Sequence, residues 1–273
     1  MIRLAVRVRR ERAELVLAEL LELVPGGVEE VPDGEVVEYG VYGAPGELPA
    51  LPDLRAAAGE ALVEVSSSEI ADDWPQRWRA HHRPVVVADQ LTVRPPWEAP
   101  ATTPLEVVID PGQAFGTGAH PSTRLCLELM LELRAAGPFV DVGCGSGVLA
   151  ITAARLGFAP VLALDNDRAA VDATRENAAA NGVELEVRRF DLRADELRYP
   201  GTTVAANLLA PLLITWADRL AYAAELPHRV IAGGLLAGEA EGVADALAAS
   251  GLREARRREI GGWAALLLKS GNP

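Results

Sequence analysis

The residues best placed to do chemistry lie in one stretch: Phe139-Val140-Asp141-Val142-Gly143-Cys144-Gly145-Ser146-Gly147-Val148-Leu149-Ala150. It reads as a buried strand, a glycine turn and the first turn of a helix. Glycine tolerates positive φ and lets a ligand approach the main chain closely. The N–H groups at a helix start favour a carboxylate or a phosphate. A dinucleotide fingerprint needs G-x-G-x-x-G, and here Val148 stands where its third glycine would be. The pattern is instead Asp-x-Gly-x-Gly-x-Gly, with Asp141 closing the strand. That carboxylate repels a pyrophosphate and favours a ligand carrying a sulfonium and an ammonium group. Two more acids close the next strands: Asp165 ends Val161–Leu164, and Asp191 follows Leu185–Arg189. At the tip of a second strand, a carboxylate can accept both hydroxyls of a ribose.

Two further segments carry polar groups. Residues 110–123, with Gly112, Phe115, Gly116, Gly118 and His120, form a long loop leading into a helix that Ser122 or Thr123 could cap. Loops of this length in compact domains tend to be functional. Asn207 ends the strand Thr203–Ala206. Its amide oxygen can accept a hydrogen bond from an amine nucleophile or from a cofactor's ammonium. His120 is a candidate general base by its location alone, because geometry must be satisfied before pKa matters. The two cysteines, Cys126 and Cys144, fit no zinc spacing, and packing is their expected role. No metal site is expected.

The elements that must hold these groups follow from periodicity. From Leu105 onward the strands Leu105–Ile109, Phe139–Val142, Val161–Leu164, Leu185–Arg189, Thr203–Ala206 and Arg229–Ala232 alternate with helical runs. Those runs lie near Thr123–Arg134, Val148–Leu156, Arg168–Asn181, Leu212–Ala224 and Glu239–Ala249. Such alternation predicts a parallel sheet covered on both faces. Leu252–Ile260 and Trp263–Lys269, joined by Gly261-Gly262, predict a terminal hairpin that adds an antiparallel strand. Residues 1–66 read as β-α-β-β-α-β, the order of a ferredoxin-like split unit. Between them, residues 67–100 predict a linker: a helix over 72–82 bearing Trp74, Trp78, His81 and His82, then a short hairpin at Val85–Val87 and Leu91–Val93, and then Pro95, Pro96 and Pro100. The two histidines read as surface or interdomain residues. The catalytic region spans 101–273.

The net charge of −13 argues against nucleic acid as the main partner. It favours a basic partner, whose encounter an acidic surface speeds. No apolar run reaches the roughly 20 residues of a membrane span, and the N terminus lacks a signal peptide's apolar core. A cytoplasmic protein with no membrane association is the expectation.

The glycine segment resembles the first motif of class I S-adenosylmethionine methyltransferases, and the likeness continues through Asp165, Asp191 and the terminal hairpin. It implies a Rossmann-like α/β fold and S-adenosylmethionine as cofactor, with S-adenosylhomocysteine as product. The segments FGTGAHPST, DVGCGSGVLAI, LDNDRAAVDATRENAAANGV and ANLLAPLL narrow the resemblance to the bacterial enzymes that methylate ribosomal protein eleven of the large subunit. This implies that Thr123, Gly143, Asp165 and Asn207 contact the cofactor. Phe115, Asp141, Cys144, Gly145, Gly147, Asn166, Asp191 and Leu192 complete the expected set, the last two near the adenine, and Asn207 also positions the acceptor. It further implies that residues 1–66 recognise the substrate. That substrate would be a basic ribosomal protein, free before assembly, methylated at lysines and its N-terminal amine, up to trimethylation. Enzymes acting on planar amides or bases carry an aromatic residue after such an Asn, and here Leu208-Leu209-Ala210 follows, which favours an aliphatic amine. An RNA or small-molecule methyltransferase is the competing reading. RNA enzymes usually add a basic domain, whereas residues 1–66 hold more acids than bases.

Overall fold

The computed structural model describes residues 2–24, 28–43, 48–49, 51–69, 82–111, 118–195 and 202–271. Residues 72–81 of the expected helix, with Trp74, Trp78 and His81, and the expected cofactor contact Phe115 lie outside them, and His82, the expected end of that helix, is not helical. The chain divides into two compact units, 1–81 and 82–273.

In the first unit, β1 (Ile2–Arg9), α1 (Ala13–Leu23), β2 (Glu29–Asp33), β3 (Val36–Gly43), α2 (Leu51–Ala58) and β4 (Leu62–Glu69) follow one another. The strands pair antiparallel in the order β2-β3-β1-β4. Alternation along β1 sends Val6 and Val8 towards Val16, Leu20, Val37, Tyr39 and Leu54, which form one buried cluster. The buried Tyr39 hydroxyl donates to Ala13 O at 2.9 Å, so its polar end is satisfied inside that core. On β1, Arg3 reaches Glu29 and Glu38 at 3.0 and 2.7 Å, and Arg7 reaches Asp33.

The second unit opens with a three-stranded sheet: β5 (Val85–Val87), β6 (Leu91–Arg94) and β7 (Leu105–Val108). The expected hairpin is present, but it packs with this unit. Residues 105–108 also depart from the expectation. They lie in this small sheet and not in the large one, because β6 takes all four of them as parallel partners, Leu91 opposite Leu105 through Arg94 opposite Val108. Arg94 fixes the Pro-rich crossover between the two strands. It donates to Pro95 O and Glu98 O and pairs with Glu106 at 2.9 Å.

The large sheet contains β8 (Phe139–Val142), β9 (Val161–Asp165), β10 (Glu186–Arg189), β11 (Thr203–Asn207), β12 (Arg229–Leu236), β13 (Leu252–Ile260) and β14 (Trp263–Ser270). Their order is β10-β9-β8-β11-β12-β14-β13, and only β14 runs against the rest. Helices α3 (Pro121–Leu131), α4 (Val148–Leu156) and α5 (Arg168–Ala180) share one buried cluster with Phe139, Ile231 and Leu267. Helices α6 (Ala210–Leu220) and α7 (Ala240–Ala249) share another with Val140, Val204, Val230 and Leu266. The strand order reverses between β8 and β11, and a crevice at the carboxyl ends of the strands there is where such sheets bind ligands. The edge strand β13 is rich in arginine. Arg258 pairs with Glu128 and Glu132, and Arg256 also pairs with Glu132, which ties the edge to α3 and keeps its charge balanced.

Phe139 starts β8, has no exposed surface and lies 5.2 Å from the Phe158 ring. Phe139→Ala should cost about 3–5 kcal/mol in urea unfolding, the usual price of an unfilled aromatic site. A loss below about 1 kcal/mol would show that this face repacks freely.

Candidate active site

The turn after β8 is built from three left-handed glycines: Gly143 (φ 77°), Gly145 (φ 53°) and Gly147 (φ 83°). The N–H groups of Gly143 and Cys144 both donate to Leu164 O, at 2.8 and 3.0 Å, which tucks the turn against the end of β9. A Cβ on Gly143 would collide with the Leu208 side chain, and one on Gly147 would sit 2.9 Å from Thr174 Cγ2. Torsion and contact therefore both require glycine at these two positions.

Asp141 is fully buried beneath the turn. Its Oδ2 accepts from Ala150 N at 3.0 Å, so a strand residue caps the first turn of α4, whose own cap, Gly147, has no side chain to offer. Its Oδ1 is buried with no hydrogen-bond partner among the described residues. Burial pushes this carboxyl up to about 7. Asp165 Oδ2 accepts from Gly145 N at 2.9 Å and its Oδ1 from Asp167 N at 2.9 Å. Burial raises its pKa too, partly offset by those N–H groups. Each oxygen keeps a lone pair for a further donor. Asn166 is exposed beside it, and its carbonyl accepts from Arg189 Nε at 2.8 Å. After β10, Asp191 Oδ1 accepts from Arg193 N at 2.9 Å and closes its own turn, while Leu192 is buried and Phe190 packs against the same cluster.

Across the reversal, Asn207 ends β11. Its Nδ2 donates to the buried Thr123 Oγ1 at 3.2 Å, and its Oδ1 is buried without a partner among the described residues. Gly233 on β12 makes room for it, since a Cβ there would collide with Cys126 Sγ and lie 3.0 Å from Asn207 Oδ1. Ser122 and Thr123 do not cap α3. His120 does, its Nδ1 accepting from Ser122 N at 3.3 Å, with Pro121 in the first turn. This leaves the Thr123 hydroxyl to meet Asn207. The His120 ring stands edge-on to Trp263 at 4.5 Å, and burial lowers its pKa to about 4. A neutral ring with so low a pKa is a weak base at neutral pH.

The fold thus brings Asp141, Gly143, Cys144, Gly145, Gly147 and Asp165 into one turn, sets Asn166, Asp191 and Leu192 along the neighbouring strand ends, and pairs Thr123 with Asn207. Sequence reasoning missed Leu208 above Gly143, Gly233 behind Asn207, and three side chains of α5 and its C-cap. Thr174 Oγ1 donates to Gly145 O at 2.9 Å, Asn177 Nδ2 to Ser146 O at 2.9 Å, and Asn181 Nδ2 to Val108 O at 2.6 Å. Asn inside a helix is disfavoured, and its spacing from Thr174 onward was a signal that could have been read. Among the described residues, no group of three or more His, Cys, Asp or Glu could hold a metal ion.

Two buried groups here titrate with opposite signs. Asp141, at about 7 against an ordinary 3.8, holds a proton between about pH 4 and 7 that the unfolded chain has released, so its contribution to stability falls as pH rises. His120, at about 4 against 6.5, stays neutral where the unfolded imidazole is charged, so its contribution rises with pH over that window. Relative to wild type, Asp141→Asn should gain stability from about pH 4 to 7, and His120→Gln should lose it from about pH 4 to 6.5. Calorimetric Tm differences that do not change with pH would refute either assignment.

The family model for ribosomal protein L11 methyltransferase (PrmA) matches residues 53–271. A ribosomal protein L11 methyltransferase from Symbiobacterium thermophilum is 41% identical over 200 residues, covering 72% of this chain and 65% of that protein. One from Brevibacillus brevis is 34% identical over 258 residues, covering 92% of this chain and 76% of its own length. The chain thus spans about two thirds to three quarters of these relatives. The crystal structure of a ribosomal protein L11 methylase from Lactobacillus delbrueckii subsp. bulgaricus is 28% identical with a TM-score of 0.62, covering 70% of this chain and all of that one. With its reversed β14 and glycine turn, the sheet is that of a class I S-adenosylmethionine methyltransferase, and the chain belongs to the ribosomal protein L11 methyltransferase family.

Proposed function

We propose that this protein transfers methyl groups from S-adenosylmethionine to lysine side chains and the N-terminal amine of ribosomal protein L11, at several sites and up to trimethylation. The observation that carries this reading is Asn207: its amide oxygen is buried without a partner among the described residues, and Leu208, not an aromatic ring, follows it. An aliphatic amine can donate to that oxygen, and Leu208 offers no ring to stack on a planar acceptor.

The residues present fit the cofactor. Asp141 Oδ1 is an unpartnered acceptor for an ammonium, and the glycines leave the close approach that a Cβ would fill. In this reading Gly143, Cys144, Gly145 and Gly147 line the methionine end, Asp165 and Asn166 hold the ribose, Asp191 and Leu192 flank the adenine, and Phe115, Thr123 and Asn207 complete the contacts. When bound, S-adenosylmethionine supplies a methyl group already activated on a sulfonium. The chain's own part is alignment, because an in-line displacement needs nucleophile, carbon and sulfur held in order. Asn207, fixed by Thr123, orients the acceptor's N–H and so aims its lone pair. Leu208, packed on the apolar cluster, desolvates an entering lysine and lowers its pKa, so its proton passes to water before the nitrogen attacks and no dedicated side-chain base is needed. His120 contributes as the cap that holds Thr123 in place.

Residues 1–66 act as the substrate-recognition domain, 67–100 as the linker and 101–273 as the catalytic domain; the hairpin that ends the linker, β5 and β6, joins β7 in the second unit's small sheet, so a cut at residue 82 keeps it with the catalytic domain. The β-α-β-β-α-β order and antiparallel β2-β3-β1-β4 sheet support a ferredoxin-like label for the first of these. The net charge of −13 supports a basic protein, free in the cytoplasm before ribosome assembly, as the partner.

With tritiated S-adenosylmethionine and a bacterial ribosomal extract, label should enter one basic large-subunit protein, at lysines or its N terminus by mass spectrometry. Label confined to RNA or small molecules would overturn the substrate reading. A chain beginning at residue 82 should bind S-adenosylhomocysteine within about threefold of the full protein and lose protein methylation. Transfer at the full rate by that shorter chain would end the proposed division of labour.

A further inference from the structure

The side chains of Thr174 and Asn177 in the body of α5 and of Asn181 at its C-cap are all buried, at 0, 4 and 5% exposure. Each bonds outside the turn of helix to which it belongs. Thr174 takes the Gly145 carbonyl and Asn177 the Ser146 carbonyl, two successive groups of the glycine turn. The peptide is planar and trans, so fixing these carbonyls also fixes the N–H of Ser146 and of Gly147, which point the opposite way. The other end of the Asn177 carboxamide faces a second segment. Its Oδ1 accepts from Asp110 N at 2.9 Å. The last rung of the small sheet here is Ile109 N to Arg94 O, at 2.9 Å. Asn177 therefore supplies the next rung, where β6 has already ended, at the start of the segment that leads to His120 and Thr123. Only a planar group with a donor on one side and an acceptor on the other serves both partners, since Asp would turn an oxygen towards the Ser146 carbonyl.

We propose that Asn177 is a positioning residue for the cofactor: one carboxamide ties the glycine turn to Asp110 and so sets the spacing of the two walls between which the cofactor lies. This rests on the reading of that turn as the S-adenosylmethionine site. Asn181, one turn on, binds both the N–H and the carbonyl of Val108, at 2.8 and 2.6 Å, and its Nδ2 also donates to the backbone carbonyl of Asn177 at 2.7 Å; its side chain makes no hydrogen bond to the glycine turn. It supports the small sheet and serves as the internal control.

The test titrates the full chain with S-adenosylhomocysteine by calorimetry. Asn177→Asp, nearly isosteric, should weaken binding tenfold or more and raise the KM for S-adenosylmethionine, with kcat at saturation changed less than threefold. Asn181→Ala should lower the Tm while leaving the S-adenosylhomocysteine Kd within threefold. Amide exchange should show Asp110 N protected in Asn177→Asp and open in Asn177→Ala. If Asn177→Asp loses its cooperative unfolding transition, Thr174→Val provides the same readout, because it frees the Gly145 carbonyl with little change in shape, and it should also weaken binding tenfold or more. Wild-type affinity in the variant that folds, or an equal loss in Asn181→Ala, overturns the proposal. If the wild-type chain itself bound no S-adenosylhomocysteine, the cofactor reading would be the one to fail.

Discussion

The constraint on which the rest depends is the turn between β8 and α4. Within five residues the chain must leave the central strand, pass under the end of β9 and start a helix. It does so by donating two consecutive N–H groups, from Gly143 and Cys144, to the single carbonyl of Leu164. That geometry needs positive φ at three positions, and Leu208 fills the space where a side chain on Gly143 would go. The position of Leu208 is set in turn by β11 and by its N–H bond to Gly233 O at 3.1 Å. Gly234 lets that strand approach, because a Cβ there would collide with the Leu208 backbone. The glycine turn and the end of β11 are thus shaped by one another, across the point where strand order reverses.

A turn with so much glycine loses more chain entropy on ordering than any other sequence would. The structure offsets this with side chains from three directions. Asp141 binds it from below through α4, Asp165 from the side through Gly145 N, and α5 from behind through Thr174 and Asn177. A neutral hydrogen bond contributes about 0.5–1.5 kcal/mol net, so several of them are needed against the cost of ordering the loop. This accounts for polar residues on a helix face that would otherwise be apolar.

Much of this was legible in the chain itself, and the exceptions share a cause. β9 and β11 are short apolar runs closed by an acid and an amide, β8 is an apolar run broken by Asp141 ahead of the glycines, and the Gly261-Gly262 hairpin carries its own turn signal, so local pattern sufficed. Leu105–Val108 also has a strand pattern, but nothing local says that β6 will claim its hydrogen bonds before the large sheet can. His120 was hidden because Ser122 and Thr123 are the stronger capping types; Pro121 in the first turn of α3 moves the cap back to residue 120. Asn177 looks like a weak point in a helix, and Asn181 like an ordinary C-cap, until their partners, some 30 to 70 residues away, are known. The glycine, acid and amide positions could be read because each sits in a local strand-end pattern, even though Asp165 and Asn207 then bond to Gly145 and Thr123 far along the chain; the residues that brace them have no such local pattern.

The electrostatics of the site follow from the same geometry. Burial dominates at Asp141 and Asp165, and among the described residues no basic side chain acts against it at either position. Backbone N–H groups are their only compensation among the described residues, and at Asp141 they reach one oxygen of two. The fold therefore holds negative charge, or the protons that cancel it, in a place where a cation lowers the energy and an anion raises it. A dinucleotide's pyrophosphate meets the wrong sign there, although the strand-turn-helix frame is the one that nucleotide-binding sheets use. A ligand with an ammonium and a sulfonium meets the right sign. The difference between the two ligand classes rests on one carboxylate at the end of one strand, and the depth at which Asp141 is buried gives that carboxylate its weight.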